Sequence, residues 1–337
     1  MKKKKVAKIF LIIFAVVLLI AILVSAIIAG IVLKKFDKIN IMELENIEMN
    51  VGIEEKLDGY RNIAILGVDA RADKYSDTRS DCIIIASINE RTKEVKLVSV
   101  YRDTYVYIDG HGFDKINHAY AYGGPELAIN TINKNLDLNI TEFVAVNFDA
   151  VVEIIDAVGG VSVDVDSEEI KHINSYINGV NKQMGRHDAN ITHTGKQNLS
   201  GVQALAYSRI RYTDGGDYKR TERMREVLNL TFEKAKNISI IQLNKIADML
   251  LPRVYTNIPK NEIYNAIPDI SKYATKASIG WPYEVKEYYP ADVWYGAPVN
   301  LENNVIRLHK ELFGDNDYVV SDKVKEISEA IIEKTGN

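Results

Sequence analysis

Hydrophobic positions change their period along the chain. From Ile9 to Leu33 they are unbroken, a run of 25 residues without a charge. As a helix rising about 1.5 Å per residue, this run is about 37 Å long, enough to cross a hydrocarbon core of about 30 Å. It also exceeds the apolar region of about 7–15 residues found in a cleaved signal peptide. Residues 34–60 are polar and acidic, with a 3.6-residue period in IMELENIEM that predicts a stalk or short helix. Strand-like runs follow: NIAILGV (62–68), CIIIASI (82–88) and VKLVSVY (95–101). The last two are joined by NERTKE, a hairpin-type connection. TYVYID alternates as a half-buried strand, residues 118–137 show helical spacing with a Gly-Gly-Pro break, and FVAVNF (143–148) is strand-like again. AVVEIIDAV (150–158) predicts a buried helix ended by Gly159-Gly160 before VSVDVD. Strands mixed with helices of these lengths predict an α/β (α+β) three-layer fold, in which helices flank a mixed central sheet, preceded by a transmembrane helix.

Charge sets the orientation. Lys2, Lys3, Lys4, Lys5, Lys8, Lys34 and Lys35 fall in the first 36 residues, which hold no acid. The rest of the chain keeps 35 basic against 46 acidic residues. Lysines ahead of the span favour a cytoplasmic N-terminus. The expected organisation is a basic tail (1–8), a membrane span (9–33), a juxtamembrane stalk (34–60) and one extracytoplasmic domain (61–330), held at the cell membrane by a single pass. A body this acidic is unsuited to duplex nucleic acid. The single cysteine, Cys82, excludes a disulfide framework, and the six histidines show no zinc-type spacing. G-x-S-x-G, Walker and G-x-G-x-x-G motifs are absent.

Arginine is more informative than lysine, because its planar fork suits phosphate and carboxylate. Of 13 arginines, five lie within SRIRYTDGGDYKRTERMRE, at 209, 211, 220, 223 and 225. Arg79 in TRSD and Arg102 in YRDT stand at strand edges. Asp217 reads as the N-cap of a helix in which Arg220 and Arg223 fall on the apolar stripe, while Arg225 turns to solvent. Upstream, Arg209 and Arg211 alternate as on one strand face. Buried arginines at the first turns of a helix call for an anion. Internal carboxylates such as Asp214 and Glu222 are the competing partners. Asp69 and Asp81, at neighbouring strand ends, have the makings of a magnesium site, since that ion takes one or two carboxylates plus substrate phosphates, with Asp73 and Asp77 between them as rival carboxylates. Trp281, Trp294 and their neighbouring tyrosines suit a packed C-terminal core or sugar stacking.

These blocks together resemble the LytR-CpsA-Psr family of cell-wall phosphotransferases. The matching pieces are TRSD (78–81), YRDTYVYI (101–108), KINHAYAYGG (115–124), VGGVSVDVD (158–166) and LSGVQALAYSRIRYTDGGDYKRTERMR (199–225), with a similar C-terminal ending. The resemblance implies a pocket for a polyprenyl chain. It also implies transfer of a glycan phosphate from a polyprenyl-pyrophosphate donor to a peptidoglycan acceptor, attaching teichoic-acid-type or capsular polymers. By motif, Arg79, Arg102, Lys115, Arg209, Arg211, Arg220 and Arg223 contact the pyrophosphate, and Asp69 and Asp81 hold magnesium or manganese. Catalysis falls to Arg102, Arg209, Arg211, Asp217 and Arg220, with Asp217 or Asp103 as base. Met224 stands where the family often has glutamine, which removes a hydrogen-bonding side chain. A polyprenyl-pyrophosphate hydrolase and a non-catalytic lipid- or glycan-binding regulator are the alternative readings.

Overall fold

Strands rich in β-branched residues on both faces suit a sheet covered on both sides, and the chain builds one. The structure, a computed structural model, describes residues 37–68, 78–214, 216–235, 246 and 248–336. In chain order the elements begin with β1 (Asn40–Ile41), α1 (Ile53–Lys56), β2 (Tyr60–Val68), β3 (Ser80–Asn89), β4 (Glu94–Val100), β5 (Tyr105–Ile108) and β6 (Gly112–Lys115). Next come α2 (His118–Leu136), β7 (Glu142–Asn147), α3 (Phe148–Ala157), β8 (Val161–Val165), α4 (Glu169–Met184), β9 (Gly195–Leu199), α5 (Gly201–Ser208) and α6 (Gly216–Ala235). The last are β10 (Val254–Thr256), α7 (Lys260–Ala266), β11 (Ala274–Trp281), β12 (Val285–Tyr288), β13 (Tyr295–Pro298), α8 (Leu301–Phe313) and α9 (Asp322–Thr335).

Seven strands form the central sheet in the order β1-β10-β7-β2-β3-β4-β11. β2, β3 and β4 pair antiparallel, whereas β7 joins β2 and β11 joins β4 in parallel, so the sheet is mixed as expected. On one face, Ala64, Leu66, Val68, Ile83, Ile85 and Val98 share the main core with α2, α8 and α9. Trp281 belongs to this core, fully buried, with its indole N–H donating to the Asn304 carbonyl. On the opposite face, Ile63, Ile65, Ala86, Ile88, Val95, Leu97 and Val144 line an apolar cavity of about 540 Å³, roofed by Leu228 and Phe232 of α6. A second core joins α3, β8, α4, β9, α5 and α6 beside the sheet.

The Gly-Gly-Pro break is real: α2 loses helical geometry at Gly123 and Gly124, where Gly124 takes φ 64°. The 34–60 segment departs from the expected stalk. From residue 40 it is woven into the domain, with β1 paired to β10 and Ile53 and Leu57 buried. IMELENIEM forms no helix. Its backbone N–H groups at Glu45 and Glu48 donate to Glu126 and Asn130 on α2 while Met42, Leu44 and Ile47 pack on the core. Side chains of a neighbouring helix replace the bonds that a helix would have made internally. Among the described residues no helix is long and apolar enough to cross a membrane, and the expected span, residues 9–33, lies outside them.

Candidate functional site

The site forms where several strands end together. The C-terminal ends of β2, β4, β7 and β11 and the start of β3 lie at one edge of the sheet. Asp81 is the second residue of β3, and Arg102 follows β4 by two residues. Across that edge Arg102 Nη1 donates to Asp81 Oδ1 at 2.6 Å and its Nε to Asp103 Oδ2 at 3.1 Å. Lys115 Nζ lies 3.0 Å from Asp103 Oδ1 and 5.1 Å above the Tyr295 ring. Burial alone would raise the Asp103 carboxyl, but Arg102, Lys115 and Arg220 outweigh it and hold the carboxyl below its ordinary range.

Helix α6 brings the second arginine. Its first turn is docked by Tyr218, edge-on to Tyr101 with ring centroids 4.5 Å apart. Arg220, only 3% exposed, then shares a narrow cleft with Asp81, Cys82, Ser99, Arg102, Thr221 and Met224. Burial pushes the Cys82 thiol up to about 11, while the nearby Arg220 charge lowers it and Asp81 raises it. The turn geometry depends on a glycine in the neighbouring strand. A Cβ on Gly280 would stand 2.2 Å from the Tyr101 hydroxyl and 3.1 Å from Arg225 Nη1.

Other expected site residues are placed differently. Arg209 is the C-cap of α5, and its guanidinium stacks 4.6 Å from the ring of Phe148, the first residue of α3. Arg211 is exposed in the irregular segment that follows. The two therefore do not alternate on a strand, because LSGVQALAYS closes a capping box between Ser200 and Gln203 and winds into a helix instead. Arg223 is fully buried in the second core. Its Nε donates to Glu169 at 2.7 Å, Nη1 to the Ile210 carbonyl and Nη2 to Thr213. Its charge is answered inside the protein, and its fork fixes the segment that carries Arg211. Arg225, expected in solvent, is 8% exposed because α6 is covered by the sheet as well as by the second core. Asp217 lies one residue inside α6 rather than before it. Arg79 is exposed just ahead of β3, and its charge acts on the Tyr122 hydroxyl. Asp69 lies outside the described residues.

One cluster was not anticipated. Asp114 accepts from Tyr122 at 2.6 Å and Tyr295 at 3.1 Å and faces His118 Nδ1 at 2.8 Å. The Asp114/His118 spacing of four was a usable signal. The tyrosine contact, 181 positions away, was not.

The family model described as the LytR_cpsA_psr family matches residues 33–294. This chain belongs to that family. As a LytR-CpsA-Psr protein, it is 35% identical over 252 residues to the Enterococcus faecalis polyisoprenyl-teichoic acid–peptidoglycan teichoic acid transferase TagU, covering 72% of this chain and 75% of that one. To the corresponding transferase TagT of Bacillus subtilis it is 34% identical over 243 residues, covering 69% and 70%. Among solved structures, TagT bound to LIIa-WTA superposes with a TM-score of 0.63 at 28% identity, covering 82% of this chain and all of that one. The regular spacing of α6 links the two hollows of this LytR-CpsA-Psr domain. Arg220 and Met224 line the polar cleft, and Leu228 and Phe232 line the apolar cavity, at successive i,i+4 positions. Facing them along β3, Asp81 and Cys82 border the cleft while Ala86 and Ile88 border the cavity.

Proposed function

We propose that this protein is a membrane-anchored transferase that moves a glycan polymer phosphate from a polyprenyl-pyrophosphate carrier onto peptidoglycan. The observation that carries this reading is the succession of a cationic cleft and an apolar cavity along α6 and β3. A lipid pyrophosphate has that same division, a doubly phosphorylated head on a hydrocarbon tail, and the similarity to TagU and TagT supplies the substrate class. Residues 9–33 serve as the anchor, with the N-terminus in the cytoplasm.

In the proposed reaction, the hydroxyl oxygen of the acceptor attacks the sugar-linked phosphorus. The bond from that phosphorus to the bridging oxygen breaks, and polyprenyl phosphate leaves with the electron pair. Arg102 and Arg220 face the charge that grows on the departing phosphate, in a cleft where few waters compete. Arg209, Arg211 and Arg79 extend the positive field around the same sheet edge, and Lys115 keeps Asp103 paired. A divalent cation fits the donor set: Asp81 Oδ1 is bonded to Arg102, no described residue bonds Oδ2, and Asp69 follows β2 in sequence. Magnesium held by Asp81 and Asp69 would offset phosphate charge as a Lewis acid.

The test uses the full chain in detergent with purified lipid-linked donor, peptidoglycan oligomers and magnesium. Polymer-linked peptidoglycan is the expected product, and Arg102→Ala and Arg220→Ala should each lower its rate at least 100-fold. Release of glycan phosphate at the same rate without peptidoglycan would identify a hydrolase instead. Donor binding without turnover of either kind would leave only a binding protein.

A further inference from the structure

The transfer proposed above must dispose of the acceptor hydroxyl's proton, and the carboxylates of the cleft are poor choices. Asp81 and Asp103 both accept from Arg102, and Asp103 is also held by Lys115. A different group is tied to Arg102 through the backbone. His118 opens α2, and the preceding Asn117 N–H donates to the Arg102 carbonyl at 3.2 Å, so the histidine starts one residue from the backbone of Arg102. Its side chain is 17% exposed.

Three features prepare this ring. First, Asp114 faces Nδ1 at 2.8 Å and is itself oriented by the Tyr122 and Tyr295 hydroxyls and by the Lys115 backbone N–H. Burial alone would raise the Asp114 carboxyl, but the hydrogen bonds from Tyr122, His118 and Lys115 outweigh it and keep it below its ordinary range. An ionised Asp114 can only accept, so Nδ1 is the nitrogen placed to donate to it and Nε2 is the one left to take up a proton. Second, no described residue bonds Nε2. Third, a chain of contacts runs from the cluster through Tyr295, Lys115 and Asp103 to Arg102. Lys115, over the Tyr295 ring, reaches Asp103, and Arg79 acts on Tyr122. Tyr122 is 46% exposed and stacks on His111 at 4.1 Å, leaving an aromatic face at the rim where a sugar can rest.

We infer that His118, oriented by Asp114, is the general base that takes the proton from the acceptor hydroxyl as its oxygen attacks phosphorus. The O–H bond breaks to Nε2, the new P–O bond forms, the bridging P–O bond opens, and the imidazolium returns its proton to solvent. Asp114 is then a positioning residue, and so are Tyr122 and Tyr295. The titratable and charged groups around the ring are Asp114 on β6, Tyr122 and its partner His111, Tyr295 on β13, Lys115 and Arg79. This inference rests on the transferase reading.

The test is the rate of peptidoglycan modification by the full chain across pH 5–9, with donor binding measured separately. His118→Ala should lose at least 100-fold in rate, as expected for a general base, with donor affinity unchanged. It should also lose the acid limb that a histidine gives to the profile, and added imidazole should restore part of the rate. Asp114→Asn should lower the rate while keeping an acid limb. If His118→Ala loses donor binding, His118→Gln, which keeps a donor for Asp114, replaces it under the same criteria. A variant with the wild-type rate, or a slower one with the acid limb intact and no imidazole rescue, overturns the assignment. In that case Arg102→Ala remaining inactive shows that the transferase reading survives, whereas a wild-type chain that makes no transfer product removes both.

Discussion

Arg223 and Glu169 show why a single residue type is an ambiguous signal. A helical wheel places Arg220 and Arg223 on the same buried stripe, yet only Arg220 opens into the cleft, while Arg223 meets a carboxylate 54 positions away. Burial was legible in the sequence; the partner was not, since it depends on how α4 packs against α6. Arg225 was missed because an amphipathic wheel assumes one solvent face, and α6 has neighbours on two sides. The expected consequence is specific. Arg223→Ala strands a buried Glu169 carboxylate and should cost about 3–5 kcal/mol, whereas replacing both residues by apolar ones of similar size should restore most of that. Chemical denaturation of the folded domain measures both, and a stable Arg223→Ala would show that the pair is dispensable. The carboxylates Asp103 and Asp114 add a pH dependence. Each lies below its unfolded value of about 3.9. Their stabilisation is therefore complete above that value and is lost as pH falls through the lower, folded one. Asp103→Asn and Asp114→Asn should flatten the acid side of the stability curve below about pH 4 and should not shift the alkaline side.

At the scale of elements, the strands and the hairpin between β3 and β4 were readable because β-branched apolar runs of about seven residues are separated by the polar NERTKE. The turn into α5 was not read as a helix start, although Ser200 and Gln203 carry the capping signature. The cavity was beyond a sequence reading for another reason. Ile63, Ala86, Leu97 and Leu228 look like ordinary core residues, and nothing local says that a hollow opens between α6 and the sheet beside the contacts Leu228 makes with it. That hollow yields a prediction about tails. Leu228→Trp puts a larger side chain into the cavity without touching Arg102 or Arg220. It should weaken binding of long polyprenyl pyrophosphates at least tenfold while leaving a short isoprenyl pyrophosphate nearly unaffected. Equal weakening for both lengths would mean that the hydrocarbon lies elsewhere.

At the scale of the molecule, very few residues separate the N-terminal apolar run from the cavity. The apolar run ends at Leu33, and Ile39 already lines the cavity, just before β1 joins the sheet. Six residue steps, fully extended, span at most about 22 Å. Under the proposed topology, this holds the cavity close to the outer leaflet, so a polyprenyl tail need leave the bilayer only over a short path. The weaving of residues 40–60 into the domain is then a functional constraint: a free stalk would let the cavity drift away, whereas β1 and the contacts of Met42 and Leu44 fix the segment to the same body as the cavity. Inserting about 20 Gly/Ser residues after Phe36 should leave the folded domain and its turnover of detergent-solubilised donor intact. It should slow transfer from donor embedded in vesicles, because extraction would no longer be local. Equal rates for the two donors in the elongated protein would show that reach, rather than closeness, is all the anchor provides.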